Sequence, residues 1–120
     1  MEIDSSQDAF SRVRAALIEA ARERRLVTYK DVAEIMEYFG SGVEMGRRVG
    51  ALGDAINEYE HQAGRPMLSA LIAKARSRMP REGFYHGAFA LGRTTPFGDK
   101  LGKQVFWESE RDAVYDEWAR

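Results

Sequence analysis

The stretch Thr28–Gln62, TYKDVAEIMEYFGSGVEMGRRVGALGDAINEYEHQ, constrains this chain most. It holds two helical patterns with a glycine-bearing break between them. Thr28 with Asp31 three residues on reads as a capping box, predicting a helix from Tyr29 to about Tyr38. Its apolar positions are Tyr29, Val32, Ala33, Ile35 and Met36. The segment FGSGVE then predicts a turn, because two glycines and Ser41 disfavour a continuous helix. A further helix is expected from near Glu44. Its Met45, Val49, Leu52, Ile56 and Tyr59 fall on one narrow stripe, the core face. Gly64 sits where a helix C′ glycine belongs, and Pro66 follows as a stop.

The remaining elements are placed around this pair. Asp4, Ser5 and Ser6 offer N-caps for a first amphipathic helix carrying Ala9, Phe10, Val13, Ala16, Leu17, Ala20 and Ala21. Met67–Ala73 is a short apolar run that predicts a buried strand. A polar loop, KARSRMPREG, follows, and FYHGAFALG is expected to return as a strand leading into a short helix. RTTPFGDKLGK reads as loop. A terminal acidic helix is anchored by Phe106, Trp107, Val114 and Trp118. With 120 residues and 44% hydrophobic content, one α+β domain over residues 1–120 accounts for the chain. The order of elements is that of a small winged helix-turn-helix: three helices, a short β-hairpin wing at residues 74–83 and a C-terminal helix.

Composition excludes several classes of function. There are no cysteines, which removes disulfides, thiolate chemistry and cysteine-ligated zinc. His61 and His86 have no neighbours that suggest a catalytic triad. GDKLGKQ lacks phosphate-loop spacing and a hydroxyl after its lysine. Asp54, Glu58 and His61 share a helix face and include a Glu-x-x-His pair. Carboxylate-bridged metal bundles need that pair from two helices, and one copy reads as a solvated face. No enzyme, cofactor or metal is expected. The N-terminus does not read as a signal peptide and no apolar run reaches a membrane span, so a cytoplasmic location is expected.

The net charge is −1, but its distribution is uneven. Residues 61–100 carry seven Lys/Arg against Glu82 and Asp99, and residues 1–60 are net acidic. Arg47 lies opposite the apolar stripe of its helix, Arg48 flanks that stripe, and Gly46, Gly50 and Ala51 keep the first turns low. Small residues let a helix approach a groove, and a first-turn arginine can reach base edges or phosphates. Lys74, Arg76 and Arg78 alternate with small residues, which on an extended backbone lines three cations along one face, with Arg81 beyond Pro80. These six residues form the candidate DNA-binding set, with double-stranded DNA as partner. Asp54, Glu58 and His61 follow Arg47 on its face, so the N-terminal turns alone would insert. The terminal helix, with Trp107, Tyr115, Trp118 and the acids Glu108, Glu110, Asp112, Asp116 and Glu117, offers a surface for a protein partner or a homodimer. A winged-helix protein-interaction module, such as a phage or defence-related adaptor, is the competing reading.

The motifs TYKDVAEIM, GRRVGALGDAI and GRPMLSALIA resemble the winged-helix domain of DNA alkyltransferases and alkyltransferase-like proteins over about residues 28–73. The resemblance implies a docking helix whose arginine, matched by Arg47 or alternatively Arg48, enters the minor groove and assists nucleotide flipping. The family's Pro-Cys-His-Arg segment is replaced here by LSALIAK, so alkyl transfer is excluded. GRPMLSALIA and GFY with a tryptophan-bearing tail also look like small bacterial or phage proteins of no assigned activity.

Overall fold

The computed structural model describes residues 5–94 and 99–119. Among the described residues five α-helices run in order: α1 (Ser5–Arg22), α2 (Tyr29–Ile35), α3 (Gly42–Gln62), α4 (Glu82–Ala90) and α5 (Lys100–Trp118). Two short strands, β1 (Val27–Thr28) and β2 (Ile72–Ala73), make an α+β whole. They pair in parallel, Val27 opposite Ile72 and Thr28 opposite Ala73. The N-cap expectation at Asp4, Ser5 and Ser6 falls outside the described residues and side chains.

Local chemistry fixes the ends of these helices. The predicted capping box is present. Asp31 N–H donates to Thr28 Oγ1 at 3.1 Å, and Thr28 N–H to Asp31 Oδ2 at 3.0 Å. Ser41 caps α3, its Oγ accepting from Glu44 N–H. Asp99 caps α5 through Gly102 N–H at 2.7 Å, so this helix starts earlier than its aromatic pattern suggested. Helices α1 to α4 all end in the same Schellman closure. The bonds Arg25 N–H to Ala20 O, Tyr38 N–H to Ala33 O, Arg65 N–H to Glu60 O and Arg93 N–H to Ala88 O make it. The closure needs a left-handed residue, supplied by Gly64 and Gly92 in two cases and by Arg24 (φ 53°) and Glu37 (φ 62°) in the others. Glu37 in that conformation ends α2 before Tyr38.

The predicted hairpin does not form among the described residues. Leu68–Leu71 is a 3₁₀ turn and leads directly into β2. Residues Met67 to Ala73 are all buried, but their polar backbone finds side-chain partners instead of a second strand. Met67 N–H donates to Glu110, Ser69 N–H to Asn57 Oδ1, and Ala70 O accepts from Trp107 Nε1. The expected return strand is helix α4. Its Phe84, Tyr85 and Ala88 are buried at helical, not alternating, spacing.

A single apolar cluster joins α1, α2, α3, the 3₁₀ turn, α4 and α5 around Leu17, Ile56, Leu68 and Val114. Of the predicted α3 stripe, Val49 and Ile56 are buried, Met45 and Leu52 are half-buried, and Tyr59 is 52% exposed. Glu60 is fully buried and holds two arginines. Arg14 of α1 reaches it at 2.8 Å and Arg65 at 3.0 Å. Both guanidiniums also lie against the Tyr59 and Trp118 rings, which fastens the end of α5 to α1 and α3. No described helix is long and apolar enough to cross a membrane.

Candidate nucleic-acid interface

The opening turns of α3 present a shallow surface. Gly46, Gly50 and Ala51 give it low relief between Glu44, Arg47, Arg48 and Asp54. Arg47 and Arg48 stand on it with side chains 77% and 57% exposed. Both touch the single carboxylate of Glu44, each at 3.3 Å. Exposed pairs of this kind contribute roughly 0.3–0.5 kcal/mol, so a phosphate oxygen can replace Glu44 at little cost. Two guanidiniums share one carboxylate, which leaves the turn locally cationic. Arg48 also lies over the Tyr38 ring, 4.7 Å from its centroid.

Arg81 joins them from the segment before α4. Its N–H donates to the Tyr29 hydroxyl at 3.0 Å, and its guanidinium lies 4.8 Å from the centre of the Tyr29 ring. The same guanidinium occupies the space where a Cβ on Gly46 would project. Tyr29 thus delivers a third cation to the first turns of α3.

The other three candidate cations are arranged differently from the predicted ladder. Residues 74–79 close as a turn, Lys74 N–H bonding Met79 O at 2.8 Å and Arg78 N–H bonding Lys74 O at 2.9 Å. Arg78 adopts φ 59°, so the alternation that would have aligned Lys74, Arg76 and Arg78 is lost. Buried Pro80 and half-buried Met79 anchor the turn to the body of the protein. Lys103, and more weakly Lys74, favours the ionised form of Glu82, and Arg78 weakly opposes the rise that burial imposes on the Tyr115 hydroxyl. Arg76 is exposed.

Behind this surface lies a cavity of about 130 Å³. Gly46, Gly50 and Gly53 line its α3 wall, Val49, Ile72 and Phe84 its apolar sides, and Tyr29, Asp54, Ser69 and Arg81 its polar ones. Ser69 is held by Asn57, whose Nδ2 donates to Ser69 Oγ at 2.6 Å. Burial raises the pKa of Tyr29, against the hydrogen bond and positive charge of Arg81, while the Asp54 carboxylate adds to the rise. Asp54 as a residue is exposed, yet its carboxyl lies against Gly87, and this desolvation raises its pKa.

The Asp54, Glu58 and His61 face is therefore split by its neighbours. Asp54 turns towards Gly87 of α4, Glu58 is exposed, and His61 Nδ1 meets Arg93 Nη1 at 3.2 Å. Arg93 in turn bridges to Glu110 at 2.7 Å. Glu110, grouped in the sequence with the acidic outer face of α5, is buried and structural.

The sequence did contain a signal for the cavity. Gly46, Gly50 and Gly53 recur one helical turn apart, a groove along one side of α3. Compared with protein-family models, with curated proteins and with solved structures, the chain matches none.

Proposed function

We propose that this chain is a non-enzymatic DNA-binding protein that docks the first turns of α3 on a duplex. The supporting observation is that Arg47 and Arg48 border the glycine-lowered start of α3 while Arg81 lies over its Gly46. Three guanidiniums around a shallow helix surface suit phosphate and groove-edge contacts. Helices α2 and α3 with the intervening turn act as a helix-turn-helix. Residues 74–81 take the place of a wing, reduced from a hairpin to a closed turn. The resemblance of residues 28–73 to the alkyltransferase winged helix supports the same docking mode. Lys74, Arg76 and Arg78 contribute phosphate contacts at the margin rather than as a ladder.

Fluorescence anisotropy on a labelled duplex over a salt series tests this reading. Log affinity should fall linearly with log salt, by about 0.9 for each phosphate contact. Replacing Arg47, Arg48 and Arg81 with Ala should flatten the slope more than replacing Lys74, Arg76 and Arg78. Absence of binding to any duplex at low salt would transfer the assignment to a protein-interaction module.

A further inference from the structure

Phe39 and Val43 are each 79% exposed, more than any other large hydrophobic side chain among the described residues. They flank Gly40, Ser41 and Gly42, so nothing tall stands between them. Val43 and Arg47 lie one helical turn apart on the same side of α3. The pedestal beneath Phe39 is fixed. Glu37 closes α2 in the left-handed conformation, and Tyr38 folds over Gly40 while Arg48 covers its ring.

We infer that Phe39 and Val43 form an apolar wedge that enters a base step beside Arg47, so that binding unstacks and bends the duplex. This inference rests on the DNA-binding reading above. Scale decides between occupants. A stable protein interface buries about 800 Å² on each partner, and these two side chains are surrounded by glycines and charges. One or two apolar side chains are enough to part a base step, with arginines holding the flanking backbone. The carboxylates nearby are Glu37, exposed at the base of the turn, and Glu44, paired with Arg47 and Arg48.

The experiment uses a duplex with 2-aminopurine at a central TA step, read by its fluorescence, alongside anisotropy for affinity. The wild-type protein should raise the fluorescence as the probe unstacks. Phe39→Ala should abolish that rise and weaken binding about tenfold, the scale of a lost base–aromatic stack. Its salt slope should not change, because no charge is removed, and its thermal midpoint should match the wild type. Phe39→Leu should retain most of the rise. If Phe39→Ala leaves both fluorescence and affinity unchanged while Arg47→Ala weakens binding, the wedge is wrong and DNA binding stands. If Phe39→Ala instead converts a dimer to a monomer in sedimentation with DNA affinity intact, the patch belongs to a second copy. No binding by the wild type overturns both.

Discussion

Arg81 and Tyr29 meet twice, through a backbone N–H donated to the phenol oxygen and through a guanidinium stacked on the ring. Fifty-two residues separate them in sequence, and this double contact carries a cation to the start of α3. Fold and binding can therefore be separated at one small residue nearby.

Gly46→Ala places a methyl group against the Arg81 guanidinium, which is the mobile end of a long side chain. The helix itself gains up to about 1 kcal/mol from alanine in place of glycine. Urea unfolding should show stability unchanged or raised, while DNA affinity measured by anisotropy falls because Arg81 is displaced.

Asp54→Asn should strengthen DNA binding roughly twofold, by removing a carboxylate that borders the same shallow surface as Arg47 and Arg48. It should also change the pH profile of stability. A raised carboxyl pKa means that the folded state binds its proton more tightly than the unfolded one. Wild-type stability then declines as pH rises from about 4 through the folded pKa, and the declining component disappears in the variant. Urea unfolding across that range measures it.

Tyr85 is pushed up to about 12 by burial, with the Glu82 carboxylate adding to the shift. Ultraviolet titration should show tyrosine ionisation extending to about 12, with the contribution of Tyr85 missing in Tyr85→Phe. The unfolded chain loses this proton near pH 10, so stability should fall as pH rises from about 10 towards 12. Tyr85→Phe should lessen that alkaline loss.

Glu60→Ala should lower stability by about 3 kcal/mol, since it strands two guanidiniums that the buried carboxylate had paired. Their partial exposure lets them reach water, which keeps the cost at the lower end of that class. Glu60→Gln should cost less, because an amide oxygen still accepts. Chemical denaturation ranks the two.

Arg24→Gly and Glu37→Gly should each stabilise the protein by about 0.5–1 kcal/mol, because glycine adopts the left-handed conformation without steric cost. The same replacement at Glu19, inside α1, should destabilise. Thermal melts distinguish the two directions.

What the sequence disclosed divides along a physical line. Features fixed by neighbours a few residues apart were readable. These include the Thr28–Asp31 box, the break at Gly40–Gly42 and the C′ position of Gly64. Features fixed by distant partners were not. Met67–Ala73 looks like a strand because it is short and apolar, but Glu110, Asn57 and Trp107 take its backbone bonds. Phe84, Tyr85 and Ala88 fit a helix as well as a strand, and burial against the core decided it. Lys74, Arg76 and Arg78 alternate in sequence, yet the turn closed by Met79 removes the extended backbone that alternation needs. Arg81 reaches α3 only through Tyr29, a pairing that no local pattern encodes.

The two-residue parallel ladder between Val27 and Ile72 closes a ring of chain that contains all of α2 and α3. Cleavage within that ring, at the exposed Gly40–Gly42 crossing, would leave both fragments threaded into the same core. A nicked protein should therefore migrate as one particle until denatured, with its two ends of the break free to splay apart.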